Sequence, residues 1–275
     1  MEYLNALKEQ QGGFNFDLCL RNKHLTNSSG DLKHTFTKTG TTIVGAVFKD
    51  GVVLGADTRA TAGSLVADKN CEKIHYLAPN MYCSGAGTAA DNQWVTLKMA
   101  SQLELQRLNS GRESRVIQAA QKLCNDLYRY QGHVGAYLII GGFDAKGPQL
   151  VEVTASGCMF HKPYASLGSG SIYAMSVIEN MYKDDMTEEE AKDMVCKSIE
   201  AGILHDLMSG SNVDLCIIKK ENVEFLRNYK VIHSQKQCQP YAYQFPKGNT
   251  PFVRQVKIEF EKTDITNEVD KMQIE

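Results

Sequence analysis

The stretch that decides the fold of this chain is residues 38–59, KTGTTIVGAVFKDGVVLGADTR. It holds two β-rich apolar runs, at 41–48 and 52–56, on either side of Lys49-Asp50-Gly51. An Asp-Gly pair between two such runs is a strong hairpin signal. The sequence therefore predicts an antiparallel hairpin that starts at Thr41, where a polar stretch gives way to the first apolar strand.

The turn of this hairpin allows two registers. A two-residue Lys49-Asp50 loop pairs Thr42 with Asp57, whereas an Asp50-Gly51 loop pairs Thr42 with Arg59. In either register Asp57 lies within a few residues of the start of the hairpin, at the same end.

Asp57 is a carboxylate in an otherwise apolar segment, and such a group usually needs a cationic partner. Lys73, at the start of a later predicted strand, is the candidate. The pair is equally consistent with a structural ion pair and with a role in catalysis.

Thr41 gains a special chemistry if the chain is cut after Gly40, because it then carries a free α-amine beside its own hydroxyl. An unperturbed α-amine titrates at about 7.7–8.0, close to the optimum for a general base, and a nearby Lys73 would lower its proton affinity. A hydroxyl activated by the N-terminal amine is a known nucleophile design. These residues alone still favour a simpler alternative, a Gly-Thr pair at the start of an ordinary strand.

Residues 84–88, SGAGT, lead from a predicted strand into a long predicted helix. The backbone N–H groups of such a turn favour negative charge, which suits an oxyanion. A glycine turn capped by Thr88, with Asp91 as its capping-box partner, is a compatible second interpretation.

The predicted elements group strands with strands and helices in pairs. Helices are predicted at about 88–108, 115–130, 170–183 and 187–204, and further strands at 73–77, 81–84, 134–143, 149–154, in shorter runs to about 167, at 213–218 and at 223–227. Thr187 and Glu190 form a capping box at the last helix. This order indicates an α+β protein of stacked sheets covered by helices rather than an alternating Rossmann sheet.

The composition excludes several classes of protein. Of 275 residues, 43% are hydrophobic and 23% charged, with a formal net charge of −2, so neither nucleic acid nor a membrane is an expected partner. The eight cysteines are dispersed without a CxxC pair, which favours reduced thiols over disulfides or zinc. There is no P-loop, GxGxxG after a strand, HExxH or GxSxG, and no cofactor or metal is expected.

The two ends of the chain are polar. Residues 1–40 lack the apolar core of a signal peptide, and the most apolar stretch, 134–143, is too short to span a bilayer, so a soluble, non-secreted protein is expected. The sequence becomes irregular from about residue 229, apart from an alternating piece at Val256, Ile258 and Phe260. Such a tail is expected to be an arm across a partner rather than a domain.

Several segments resemble the catalytic beta subunits of the eukaryotic 20S proteasome, and more narrowly their trypsin-like class. They are TTIVG (41–45), GADTRAT (55–61), ADKNCEKIH (67–75), CSGAGTAAD (83–91), RYQG (129–132), LGSGS (167–171), AGI (201–203) and DLMSGSN (206–212). The resemblance is dense over 41–228 and looser in the tail. It implies an N-terminal nucleophile (Ntn) hydrolase fold over 41–228, a four-layer αββα sandwich of two antiparallel sheets between helix layers.

The resemblance also implies roles for individual residues. These are Thr41 as nucleophile and, through its amine, as base; Asp57 and Lys73 as its support; Gly87 N–H as the oxyanion hole; Ser169, Asp206 and Ser209 as hydrogen-bonding groups that orient the amine; and Thr61, Gly87 and Ala89 as partners of the substrate backbone. Polypeptides, including unfolded or ubiquitinated proteins, are the implied substrates.

Residues 1–40 would then be a propeptide removed by autocleavage. Thr41 Oγ attacks the Gly40 carbonyl, an ester forms, and water releases the new N-terminus; a small, flexible Gly40 lets its carbonyl approach. Residues 229–275 would contact a neighbouring subunit. The implied partners are other proteasome alpha and beta subunits in a four-ring barrel, and the implied location is cytoplasm and nucleus.

The pocket for the residue before the cut bond (P1) departs from the trypsin-like pattern. Members of that class have an acidic residue where this sequence has Gln93. Gly85 at the pocket floor leaves room for a long side chain, and Asp91 still offers negative charge nearby. Cleavage after basic residues is expected, with weaker charge selection than an acidic residue at 93 would give.

Two alternatives to a proteasomal peptidase remain open. A non-catalytic beta-type scaffold subunit has no need of Gly40, Thr41, Asp57 and Lys73 together, which speaks against it. A free-standing Ntn amidohydrolase acting on small molecules is a poor fit to the polar C-terminal arm.

Overall fold

The computed structural model describes residues 19–21, 23–24, 39–232 and 256–259 of the 275-residue chain. It divides into two units, Met1–Ser234 and Gln235–Glu275. In the second unit, residues 256–259 are exposed and have no regular secondary structure. Most of the predicted propeptide (1–40) and of the predicted arm (229–275) lies outside the described residues.

Strands and helices between 39 and 232 follow the predicted order. The strands are β1 (Thr42–Phe48), β2 (Gly51–Asp57), β3 (Ala60–Ala62), β4 (Leu65–Asp68), β5 (Ile74–Ala78), β6 (Met81–Gly87), β7 (Ala136–Asp144), β8 (Gly147–Val153), β9 (Met159–His161), β10 (Tyr164–Gly168), β11 (Asn212–Lys219) and β12 (Val223–Val231). The helices are α1 (Ala89–Ser110), α2 (Val116–Arg129), α3 (Ser171–Met181) and α4 (Glu188–His205).

The strands form two five-stranded antiparallel sheets and one small hairpin. The first sheet has the order β10-β1-β2-β11-β12, and the second has the order β5-β6-β7-β8-β9. Strands β3 and β4 pair with each other. The β1–β2 hairpin lies inside the first sheet, so each of its strands is paired on both edges.

Three apolar clusters define four layers. One cluster packs α3 and α4 against the first sheet, one joins the two sheets, and one packs α1 and α2 against the second sheet. Successive residues of β1 face opposite layers, since Ile43 belongs to the inter-sheet cluster and Val44 to the helix-facing one. Burial on both faces explains why β1 and β2 are continuous apolar runs. The predicted α+β class and αββα sandwich are confirmed.

The β1–β2 turn settles the register. Lys49-Asp50 forms the two-residue loop, and Ile43 lies opposite Ala56, so the first predicted register is confirmed and the Asp50-Gly51 register is wrong. Gly51 is instead the first residue of β2. A β-carbon there would lie 2.2 Å from the carbonyl oxygen of Ile218, so close packing against β11 accounts for this glycine.

The two predicted capping boxes differ in outcome. At α4, Thr187 Oγ1 accepts from Glu190 N–H and the Glu190 carboxylate accepts from Thr187 N–H, as predicted. At α1, the box between Thr88 and Asp91 is wrong, because the Thr88 side chain makes no cap hydrogen bond. The Asp91 carboxylate accepts instead from Gly135 N–H at 2.9 Å, which ties α1 to the segment before β7.

Two further features differ from the sequence-based expectation. The β3–β4 hairpin was not predicted, and its second strand is exposed along its whole length. Strand β12 continues to Val231, four residues past the end of the strand predicted at 223–227. Among the described residues, no helix is both long and apolar enough to cross a membrane.

Candidate active site

Three buried side chains meet at the start of the first sheet. Thr41 immediately precedes β1, Asp57 ends β2, and Lys73 immediately precedes β5 of the other sheet. The hydroxyl of Thr41 donates to Asp57 Oδ1 at 2.7 Å and accepts from Lys73 Nζ at 2.6 Å. Lys73 Nζ also lies 2.7 Å from Asp57 Oδ1. The three groups therefore form a closed triangle of hydrogen bonds around the Thr41 hydroxyl.

The carboxylate of Asp57 is fully buried, and both of its oxygens accept hydrogen bonds. Besides Thr41 and Lys73, its Oδ1 accepts from Thr42 N–H at 3.0 Å and its Oδ2 accepts from Gly210 N–H at 3.1 Å. A buried carboxylate is tolerated where a cation and additional hydrogen bonds compensate for the lost hydration. The cation of Lys73 is thereby held against the hydroxyl of Thr41.

A second polar cluster faces the main-chain nitrogen of Thr41. This nitrogen donates to Ser169 Oγ at 3.1 Å, and Ser169 donates to Asp206 Oδ2 at 2.5 Å. Ser209 donates to the same Asp206 oxygen at 2.8 Å. Of the three residues predicted as one group, Ser169 therefore contacts the atom that becomes an amine if the chain is cut after Gly40, and Asp206 and Ser209 are connected to it through Ser169.

Thr39 and Gly40, the residues before Thr41, lie in a groove between Thr61 and Gly87. Thr39 Oγ1 donates to the Gly87 carbonyl at 3.1 Å, and Gly40 N–H donates to Thr61 Oγ1 at 3.2 Å. Gly87 has a φ of +100°, and a β-carbon there would lie 2.3 Å from the Gly135 carbonyl oxygen. Its left-handed conformation and this close approach both require glycine.

A cavity of about 520 Å³ opens beside Thr41. Five of the residues predicted to contact substrate line it, namely Thr61, Gly85, Gly87, Ala89 and Gln93. Asp91, the sixth, is not among the described residues that line this cavity, and its carboxylate accepts from Gly135 N–H at 2.9 Å. The carboxylate that does line the cavity is the exposed one of Glu72.

Several residues of this site were not predicted from the sequence. Glu72 and Asn92 line the cavity, and Met208 packs against Gly40. The lining residues of α1, which are Ala89, Asn92, Gln93, Thr96, Leu97 and Ala100, follow helical spacing, so a helical projection from Gln93 would have found Asn92. Glu72 is adjacent to Lys73 in the sequence, whereas the contact of Met208 depends on a tertiary loop position.

Burial favours the neutral form of two titratable groups in the cavity wall. Burial lowers the pKa of His75 below its usual value, and burial raises the pKa of the Cys71 thiol. Among the described residues, no group of three or more His, Cys, Asp or Glu side chains is arranged to hold a metal ion.

Comparison with known proteins identifies the family. A model of the family described as Proteasome subunit matches residues 37–218. The chain is 50% identical over 263 residues to Proteasome subunit beta type-7-A of Arabidopsis thaliana, covering 96% of each chain. It is 45% identical to Proteasome subunit beta type-2 of Saccharomyces cerevisiae, covering 92% of this chain and 99% of the other.

A mammalian relative gives the same result. Proteasome subunit beta type-10 of Mus musculus is 46% identical over 249 residues, covering 90% of this chain and 91% of the other. Identity at this level over nine tenths of both chains, together with the two antiparallel sheets between helix layers, means that the chain belongs to the proteasome beta subunit family, with its Ntn-type fold.

Proposed function

We propose that this chain is a threonine endopeptidase subunit of the 20S proteasome core, which cuts polypeptides after basic residues. The observation that carries the proposal is the Thr41 hydroxyl, hydrogen-bonded to both Asp57 and Lys73 at the edge of a cavity of about 520 Å³. Some members of the family are not catalytic. A structural ion pair between Lys73 and Asp57 would not by itself require the Thr41 hydroxyl to bond to both groups.

Self-cleavage is the first reaction. Thr41 Oγ attacks the Gly40 carbonyl carbon, the Gly40–Thr41 C–N bond breaks, and the proton of the hydroxyl passes to the nitrogen. The product is an ester between Gly40 and Thr41 Oγ. Water hydrolyses this ester, which releases residues 1–40 with a carboxylate end and leaves a free α-amine on Thr41.

Peptide hydrolysis then uses the new amine as general base. The amine takes the proton of Thr41 Oγ as the oxygen attacks the substrate carbonyl, and it gives the proton to the leaving amine. Water cleaves the resulting acyl ester and restores the site. Lys73 stabilises developing negative charge at Oγ, Gly87 N–H is assigned to the oxyanion, and Ser169, Asp206 and Ser209 orient the amine.

The remaining parts of the chain have proposed roles in assembly. Residues 1–40 are the propeptide, 41–228 the catalytic domain, and 229–275 an arm on a neighbouring subunit. Membership of the family implies assembly with other proteasome subunits, and we place the chain in a four-ring barrel of alpha and beta subunits, in the cytoplasm and nucleus.

The cavity supports a preference for long P1 side chains. Gly85 leaves space, Gln93 lines the wall, and Glu72 supplies a carboxylate at the exposed side. Assembled particles should hydrolyse fluorogenic peptides ending in Arg faster than those ending in Leu or Glu. Faster Thr41-dependent turnover of the Leu or Glu peptide would contradict the basic preference.

Intact-mass analysis of assembled particles tests the catalytic proposal. The chain should begin at Thr41 in wild-type particles. Thr41→Ala should leave the peptide bond after Gly40 uncut and abolish this subunit's peptidase activity, because the nucleophile is gone. Thr41→Ser is the matched control, since it keeps a hydroxyl and should still be cut.

Other outcomes identify the two alternatives. A wild-type chain that still begins at Met1 after assembly indicates a scaffold subunit. A mature chain that hydrolyses small amides as a monomer indicates a free-standing amidohydrolase. Peptidase activity retained in particles with Thr41→Ala would refute the mechanism.

A further inference from the structure

The hydroxyl of Thr42 lies in a buried space bounded by two glycines. Thr42 is the first residue of β1 and is fully buried. Its Oγ1 lies 2.7 Å from Ser209 Oγ. A β-carbon at Gly170 would lie 2.0 Å from Thr42 Oγ1, and one at Gly202 would lie 2.5 Å from the same atom. The two glycines therefore leave room for this hydroxyl beside Ser209.

Asp206 sets the direction of the hydrogen bond between these two hydroxyls. A hydroxyl has one proton to donate, and an ionised carboxylate can only accept. Ser209 gives its proton to Asp206 Oδ2 at 2.8 Å. Thr42 is therefore the donor in its contact with Ser209, and the Ser209 oxygen accepts.

Thr42 thus lies at the end of a chain of hydrogen bonds that leads to the nitrogen of Thr41. The same oxygen of Asp206 accepts from Ser209 and, at 2.5 Å, from Ser169. Because Ser169 uses its proton on this carboxylate, its oxygen is left to accept from Thr41 N–H at 3.1 Å. The chain therefore ends at the atom proposed as the general base.

The main chain of Thr42 belongs to the other polar cluster of the site. Its N–H donates at 3.0 Å to Asp57 Oδ1, the oxygen that also accepts from the Thr41 hydroxyl and from Lys73. Thr42 is not among the described residues that line the cavity. A substitution that removes only its hydroxyl keeps the main-chain bond to Asp57 and loses the bond to Ser209.

We propose that Thr42 is a positioning residue that acts through Ser209 on the α-amine of Thr41. The proposal rests on the peptidase function proposed above and adds a residue to its machinery. Because Thr42 lies outside the cavity lining, its hydroxyl affects the chemical step rather than substrate binding. Its loss should lower kcat about tenfold, equivalent to about 1.4 kcal/mol, and leave KM unchanged.

Three variants of Thr42 test its hydroxyl. Thr42→Val fills the space and Thr42→Ala leaves it open, but both remove the donor, so both should show the lower kcat. Thr42→Ser keeps the donor and should retain the wild-type kcat within about threefold. Ser198→Ala is the matched control, because Ser198 is an equally buried hydroxyl that donates to the Met194 carbonyl at 2.7 Å within α4. This control should leave kcat unchanged.

The assay uses assembled particles and the fluorogenic peptide that ends in Arg. The turnover of particles with Thr41→Ala is subtracted because other subunits contribute. The value of kcat is expressed per chain that begins at Thr41, as counted by intact mass. This normalisation separates slower chemistry from slower self-cleavage.

A double-mutant cycle with Ser209→Ala separates positioning from a structural role. Effects of coupled residues are not additive, whereas effects of independent residues add. If Thr42 acts through Ser209, adding Thr42→Val to Ser209→Ala should lower kcat further by less than about twofold. A purely structural effect of Thr42→Val would lower kcat equally in both backgrounds and would overturn the proposal.

Other results would also contradict the role of Thr42 while leaving the peptidase function intact. These are an unchanged kcat in Thr42→Val and Thr42→Ala, a kcat in Thr42→Ser as low as theirs, or an effect confined to KM. Absence of these variants from assembled particles would assign Thr42 to folding or assembly instead. If Thr41→Ala removes no activity at all, the peptidase function itself fails, and the proposal fails with it.

Discussion

Gly40 lies against Met208 and Ser169 with no room for a side chain. A β-carbon at position 40 would come within 2.1 Å of Met208 Cβ and 2.6 Å of Ser169 Oγ. Gly40→Ala should therefore push the carbonyl at position 40 away from Thr41 Oγ1. A misplacement of about 1 Å can slow a reaction about 10²-fold, so we expect cleavage after residue 40 to slow by that order, as measured by pulse-chase and intact mass.

A second substitution tests the steric origin of this effect. Met208→Gly removes the nearer obstacle, so Gly40→Ala should be cut faster in that background than alone. Ser169 Oγ remains close, and recovery should be partial. Cleavage of Gly40→Ala at the wild-type rate would show that the contact does not constrain the junction.

The sequence allows the residues around Thr41 to be predicted to different degrees. Asp57 is predictable because hairpin registers can be counted along the chain, and a carboxylate in an apolar strand demands a cation such as Lys73. Asn92 and Met208 were not predicted. Their roles depend on how closely α1 approaches Gly85 and how a loop approaches Gly40, and neither distance leaves a periodic signal in the sequence.

At the scale of elements, Asp91 fastens the start of α1 to the segment before β7. Its carboxylate accepts from Gly135 N–H at 2.9 Å, and Thr88 N–H donates to the Gly135 carbonyl at 2.9 Å. Asp91→Asn keeps the shape but removes the charge that strengthens the first bond. Because hydrogen bonds to charged groups contribute about 1.5–3 kcal/mol, the particles should lose activity at a lower temperature.

The P1 preference should not change in Asp91→Asn, since Asp91 does not line the cavity within the described residues. Thermal inactivation and the ratio of Arg to Leu peptide turnover are the two measurements. Glu104→Gln, on the exposed face of α1, serves as control and should leave both unchanged. A large drop in the ratio of Arg to Leu peptide turnover would show instead that Asp91 contributes to the P1 pocket.

The spacing of residues predicts a capping box correctly when both hydrogen-bonding partners belong to the same helical turn. The capping box of Thr187 and Glu190 forms as predicted because its two hydrogen bonds lie within four residues. At α1 a partner from another element, Gly135, takes the carboxylate, and sequence spacing does not reveal this competitor. The β3–β4 hairpin was missed because its second strand is exposed and therefore shows no alternation of apolar and polar residues.

At the scale of the whole molecule, Arg227 connects the edge of the first sheet to the segment before Lys73. It pairs with the buried Asp214 of β11 and donates through Nη2 to the Asn70 carbonyl at 2.8 Å and to Asn70 Oδ1 at 3.1 Å. The same segment is anchored to the end of β2, since Cys71 N–H donates to the Thr58 carbonyl at 2.9 Å.

Arg227→Lys should slow catalysis without altering substrate choice. Lysine keeps a cation beside Asp214 but loses the planar fork that holds Asn70. Changes in such networks contribute about 0.5–2 kcal/mol, so kcat should fall about 2- to 30-fold, while KM and the P1 ratio stay constant. Steady-state kinetics on assembled particles separate the two parameters.

Lys230→Met provides the comparison for Arg227→Lys. Lys230 is on the same strand and pairs with Glu200 at the surface, where ion pairs contribute little. Its loss should leave kcat unchanged. A change in KM or in the P1 ratio with Arg227→Lys would show that Arg227 affects substrate binding rather than the position of Lys73.

The order of the layers was predictable because groups of strands alternate with pairs of helices along the sequence. Strands, paired helices, strands, paired helices and strands can bury their apolar faces by stacking two sheets between helix layers. The bounds of the core were less predictable. Strand β12 carries polar and exposed residues to Val231, so its pattern does not distinguish an edge strand from the tail that follows.

The placement of Thr39 and Gly40 in the groove has a kinetic consequence for the proposed reactions. These two residues are covalently joined to Thr41, so self-cleavage is first order and does not depend on the concentration of the chain. Well-oriented intramolecular groups reach effective molarities of about 10⁵–10⁸ M, which no dissolved peptide can match. Self-cleavage of an uncut chain is therefore insensitive to competition from substrate. After this single turnover, hydrolysis in the same groove is second order in chain and substrate until the substrate saturates it.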